Sequence, residues 1–136
     1  MQIEINKKKY NCVFGVKFIR ELDKEFGLVR NGVNLGMALT TSLPQLLSGN
    51  IDTLSNIIYT STITENPRPS KDEVDDFLDN VKDIEAFFDE TIESLEESNA
   101  GKLAVRALKE ELKTSDTENP TQPKLTRTSS SIVSDI

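Results

Sequence analysis

One thiol, no histidine and a surplus of carboxylates make up the reactive inventory of this chain. Cys12 has no imidazole to take its proton, so neither a Cys-His nucleophile nor a Ser-His-Asp triad can be assembled. One cysteine without histidine cannot build a zinc set either, and it cannot close a disulfide within the chain. Cys12 therefore reads as an ordinary strand residue. Gly32 and Gly36 sit in a turn-like stretch without the spacing, or the following Lys-Ser/Thr, of a phosphate-binding loop. Asp72, Asp75, Asp76 and Asp79 fall on a predicted helix, whereas a calcium hand needs its ligands on a loop with a central glycine. Hydrolysis by carboxylates alone is the one chemistry left open on paper. The expectation is a non-enzymatic protein with no metal and no cofactor.

The carboxylates are unevenly placed. The net charge of −7 is built from a basic start, net +3 over residues 1–30, and an intensely acidic stretch, net −10 over residues 65–99. Between them, residues 31–64 carry a single charged side chain, Asp52. An acidic helical face has two readings: a solvated surface that keeps a small protein dispersed, or a surface that attracts a basic partner and repels wrong ones. On the second reading Asp75, Asp76 and Asp79 are the candidate contacts. Lys7, Lys8 and Lys9 at a hairpin tip are too few for a phosphate track, so nucleic acid is not expected as a partner.

The elements that position these residues follow from apolar spacing. Ile3 and Ile5 alternate with polar neighbours as one strand, Asn6-Lys7-Lys8 forms a turn, and Tyr10, Cys12 and Phe14 alternate in a second strand. From Val16 the period becomes helical, with Val16, Ile19, Leu22 and Phe26 on one face and Gly27 placed as a left-handed cap. Val29 and Val33 belong either to a short third strand or to a loop. Leu39, Leu43, Leu46 and Leu47 recur at helical spacing, but Pro44 predicts a break, with a helix near 36–42 and a separate turn or helix over 43–48. Asn50 caps a central core helix through Ile51, Leu54, Ile57 and Ile58. Pro67 and Pro69 make a hard boundary, and Ser70 with Glu73 forms a capping-box pattern. Val74, Phe77, Leu78 and Val81 face inward from the helix that follows. Ile84, Phe88, Ile92 and Leu95 continue that stripe, so residues 71–98 read as one long helix or two. Asn80 and Asp83 are good caps, and the prediction is two, over 70–80 and 83–98. Phe87 beside Phe88 demands cover wider than one narrow stripe. A last helix is expected over 102–113, followed by a disordered Ser/Thr/Pro-rich tail over 114–136.

The chain is 136 residues with 36% hydrophobic and 29% charged side chains, one domain's worth with a piece that adds little to the core. No apolar run approaches a membrane span and no secretory signal opens the chain, so no membrane partner and a cytoplasmic setting are expected. The fold class expected is α+β and predominantly helical: an N-terminal β-hairpin, then a small bundle of about five to six helices in a body over 1–113, with a disordered tail.

Taken in order, the segments "MQIEINKKKYNCVFGVKFIRELDKEFG", "GMALTTSLPQLLSGNIDTLSNIIYTST", "SKDEVDDFLDN" and "DIEAFFDETIESL" resemble the tail assembly chaperones of long-tailed phages that infect Gram-positive bacteria. The resemblance spans roughly residues 1–113 and lies in element order and apolar pattern. It implies a phage or prophage protein of the host cytoplasm that coats the tape-measure protein, helps recruit tail-tube subunits and is absent from the finished virion. Self-association stays open. In this family a short form and a frameshifted longer form are common, and the 114–136 tail matches a short form or a junction. Leu39, Leu43, Leu46 and Leu47 are the candidate apolar contacts for a helical partner, bound with weak salt dependence. The competing reading is a small acidic inhibitor that takes a basic partner on residues 72–97, with strong salt dependence.

Overall fold

The computed structural model describes residues 1–27, 29–30, 33–34 and 37–118, with side chains over 1–27 and 37–113. The hairpin closes through a two-residue turn: Asn6 and Lys7 have φ of 53° and 66°, the two left-handed conformations of a type I′ turn. β1 (Gln2–Ile5) and β2 (Lys8–Asn11) pair antiparallel, with Ile3 opposite Tyr10 and Ile5 opposite Lys8. Lys8 is thus the first residue of the strand and not part of the turn. Pairing in β2 ends at Asn11, yet the inward alternation runs on, since Tyr10, Cys12 and Phe14 are all buried. Three hydrogen bonds hold this exit in place: the Cys12 N–H donates to the Met1 carbonyl at 2.8 Å, the Val13 N–H to the Ser61 carbonyl at 2.9 Å, and the Asn11 N–H to the Glu65 carboxylate at 3.2 Å.

Cys12 is 4% exposed. Burial pushes its thiol above the ordinary value of 9.0, with the neighbouring Ser61 side chain opposing the shift. The folded chain therefore keeps the thiol proton to higher pH than the unfolded chain does. The associated stability is intact below pH 9.0 and is lost as pH rises from there through the folded value. A thiol reagent at pH 8 should modify the native chain roughly tenfold or more slowly than the urea-unfolded chain. Equal rates in a stopped-flow alkylation would show that the strand exit is not closed.

α1 (Val16–Phe26) turns a different face inward from the one its spacing suggests. Phe18 and Leu22 are each 1% exposed, whereas Val16 is 62% and Phe26 41% exposed. The phase is set by aromatic packing: the Phe14 and Phe18 rings meet edge to face at 5.1 Å. Gly27 ends the helix with φ −80°, so it is not a left-handed cap. A Cβ there would lie 2.3 Å from the Asp23 carbonyl oxygen, and the glycine serves close approach. The Asp23 carboxylate accepts the Ala38 N–H at 3.0 Å, placing a negative charge at the start of the next helix.

β3 (Val29–Arg30) and β4 (Val33–Asn34) form a second small antiparallel hairpin, so both valines lie in strands. α2 (Ala38–Leu47) is a single helix with Pro44 inside it, not the broken pair expected. Proline in a helix interior costs about 3 kcal/mol. Burying leucine side chains returns about 1.5–3 kcal/mol each, and Leu39, Leu43 and Leu46 are at most 6% exposed. Gly49, at φ +86°, turns the chain in a conformation only glycine adopts freely.

The Asn50 side chain accepts the Thr53 N–H at 3.0 Å and starts α3 (Ile51–Ser61), the core helix. Leu54, Ile57 and Ile58 are fully buried there, while Ile51, at 48%, stays exposed at the helix start. α3 packs against α1, α2 and, across the proline-bounded connection, α4 (Lys71–Asn80). In that connection the Arg68 guanidinium lies 4.0 Å from the Tyr59 ring centre and donates to the Tyr59 carbonyl at 2.6 Å. The Ser70–Glu73 capping box forms with both bonds made, at 3.1 and 2.9 Å. Two helices do replace one over 71–98: the Asp83 carboxylate accepts the Ala86 N–H at 3.0 Å and opens α5 (Ile84–Glu97).

α6 (Asn99–Glu118) begins three residues before the predicted Lys102 and continues five past Lys113, through Thr114–Glu118. Its start is capped by the Ser98 hydroxyl, which accepts the Gly101 N–H at 2.9 Å. Val105 is buried and Leu103 is 70% exposed. The chain divides into Met1–Val105 and Arg106–Ile136, and the packing described above belongs to the first unit. Residues 119–136, with most of the tail and its Ile132 and Val133, lie outside the described residues. Among the described residues no helix is long and apolar enough to cross a membrane. The architecture is an N-terminal hairpin followed by a predominantly helical assembly.

Candidate functional site

The four leucines singled out by spacing separate in the fold. Leu39, Leu43 and Leu46 point into the core, at 6%, 1% and 1% exposure, while Leu47 is 42% exposed. Helical geometry explains the split: adjacent residues on a helix point about 100° apart, so Leu46 and Leu47 cannot both face the core.

Leu47 does not stand alone. α2 packs against α5, and where the C-terminal end of α2 approaches α5 a groove of about 450 Å³ opens, with Leu46 and Leu47 on one wall and Phe88 and Ile92 on the other. Phe88 and Ile92 are only half-buried. The stripe read as Ile84, Phe88, Ile92 and Leu95 is offset in the same way as that of α1. The residues of α5 in the core are Phe87, Thr91 and Leu95, with Phe87 edge-on to Phe77 at 5.4 Å. Phe88 and Ile92 sit one step round the helix and form the α5 wall of the groove. The adjacent phenylalanines signalled this in the sequence, because one of the two had to find cover off the core face.

The rim of the groove is acidic. Glu85 and Asp89 line it from α5, and with Glu93 they form an exposed row at i, i+4 and i+8. Like charges at that spacing destabilise a helix by about 0.2–0.5 kcal/mol a pair. α5 carries no lysine or arginine to relieve them, and its last turn places Glu96 and Glu97 at the negative end of the helix dipole. Among the described residues neither Glu85 nor Asp89 has an ion-pair partner.

The three aspartates of α4 are arranged differently. Asp75 is partly internalised, accepting a hydrogen bond from the Ser55 hydroxyl and lying 3.7 Å from the Lys71 ammonium. That placement ties α4 to α3. Asp79 is exposed and shares a shallow depression of about 280 Å³ with Asp75, Ile51 and Leu78. Asp76 is exposed and faces a separate groove of about 370 Å³ between α4 and the hairpin tip, lined also by Glu4, Glu73 and Phe77. The fold thus leaves Asp76 and Asp79 available and occupies Asp75, and it brings none of the three to Leu47. In the α2–α5 groove, exposed or half-buried apolar side chains from two helices face one another beside Glu85 and Asp89.

Residues 2–110 match the family model described as phage tail assembly chaperone protein, TAC. No curated protein and no solved structure matches the chain at a significant level.

Proposed function

The chain belongs to the phage tail assembly chaperone family, and we propose on that footing that it binds the tape-measure protein during tail assembly. Binding keeps that long helical protein soluble and helps bring tail-tube subunits to it, in the host cytoplasm and without enzymatic chemistry. The body, residues 1–113, does the binding, and 114–136 is a tail to it. The observation that carries the reading beyond family membership is the groove between α2 and α5, where Leu47 is 42% exposed opposite a half-buried Phe88. A groove with apolar side chains on both walls can accept the apolar face of a helix. A chaperone must be displaced when tube subunits arrive, so many weak contacts along a partner suit the role better than one tight site.

Co-expression of the full chain with its tape-measure protein tests this. The partner is expected in the soluble fraction and on the affinity resin, together with this chain. Leu47→Asp should lower capture about tenfold, since burying a leucine at an interface is worth about 1.5–3 kcal/mol, while leaving the folded body intact. A tape-measure protein that stays insoluble beside a well-folded chain would overturn the assignment.

A further inference from the structure

We infer that the α2–α5 groove selects a cationic amphipathic helix, one whose apolar stripe is flanked by lysine or arginine. The inference rests on the reading of this groove as the partner site and adds the chemistry of what occupies it. Leu47 on one wall and Phe88 and Ile92 on the other supply the apolar lining, and Glu85 and Asp89 stand beside Phe88 on the same helix. An apolar helix face seated between those walls would bring its flanking side chains against the two carboxylates.

Charge complementarity decides the sign of those side chains. Among the described residues, neither Glu85 nor Asp89 is ion-paired and no lysine or arginine lines the groove. The row Glu85, Asp89 and Glu93 repels itself along the helix, and α5 ends on two further glutamates without a lysine or arginine in its last turn. Cations on a partner would relieve that repulsion, whereas anions would add to it. Solubility alone asks for scattered charge. It does not ask for a like-charge row beside half-covered phenylalanine and isoleucine. The groove therefore joins the two features that the sequence separates, the apolar end of α2 and the acidic stretch of 65–99. Binding here should depend on salt, in contrast to a purely apolar dock.

The probe is a pair of amphipathic helical peptides of about 18 residues, one leucine/lysine and one leucine/glutamate, with a scrambled leucine/lysine control. They are titrated into the full chain while backbone amide shifts are followed by NMR. The leucine/lysine peptide should bind about tenfold more tightly than the leucine/glutamate peptide, and should weaken about tenfold between roughly 50 and 300 mM salt. Shifts should centre on Leu47, Phe88 and Ile92. The paired substitution Glu85→Lys and Asp89→Lys, on two exposed side chains, should reverse the preference with the helical spectrum unchanged.

Equal affinity for both peptides would overturn the inference. So would equal binding of the scrambled control, which would mean plain charge attraction, or shifts centred on Glu73 and Asp76. Groove resonances that move on dilution without peptide would make a second copy the occupant and overturn it too. Seating of the peptide without capture of the tape-measure protein would leave this inference standing and remove the assigned partner. Capture that survives the paired reversal with unchanged salt dependence would do the opposite.

Discussion

Phe18→Ala is expected to destabilise the fold by about 3–5 kcal/mol, the cost of emptying a buried phenylalanine site. Phe18 is 1% exposed and makes the edge-to-face contact with Phe14 that sets the rotation of α1. The loss is a large share of the roughly 5–15 kcal/mol that holds a small domain together. Val16→Ala, on a side chain 62% exposed, should stay within about 0.5 kcal/mol. Urea unfolding followed by circular dichroism measures both, with a lowered midpoint and an unchanged slope expected for Phe18→Ala. If Val16→Ala proved the costlier of the two, α1 would be rotated to the face that its simple spacing suggests.

Phe87→Ala and Phe88→Ala should separate stability from binding. Phe87 is 7% exposed and packs edge-on against Phe77 at 5.4 Å, so its truncation is expected to cost about 3–5 kcal/mol. Phe88 is half-buried in the groove wall. Its truncation removes less covered surface and should cost about 1 kcal/mol of folding stability, while lowering affinity for the leucine/lysine peptide about tenfold. Thermal unfolding and the peptide titration, run on both variants, read the two effects independently. Equal destabilisation by both, with binding untouched, would place Phe88 in the core and close the groove as a candidate site.

Much of this molecule is local, and what is local was legible. The I′ turn needs residues that tolerate positive φ, and Asn6 heads a polar tripeptide between two alternating runs. The caps by Asn50, Ser70 and Asp83 each form between groups three residues apart, so no distant element decides them. The break between α4 and α5 has the same character. The charge partition is likewise a property of the chain, and folding does not redistribute it along the sequence.

The rotation of each helix is another matter. On α1 and α5 more apolar residues are present than one face can hold, and spacing alone offers two adjacent stripes. Contacts from elsewhere chose between them: Phe14 against Phe18, and Phe77 against Phe87. Pro44 shows the same competition within α2. A local rule demands a break, and three buried leucines outweigh it.

The sequence alone determined the N-terminal hairpin, the caps at Asn50, Ser70 and Asp83, the lack of a histidine-based centre, and the separation of a nearly uncharged middle from an acidic stretch. Only the tertiary structure decided that Leu47, and not Leu39, Leu43 or Leu46, meets solvent, and that Phe88 and Ile92 lie across from it beside Glu85 and Asp89. Turns and caps are settled by bonds between neighbours. A groove is settled by which residues are left over once the core is full, and that depends on every helix packing at once.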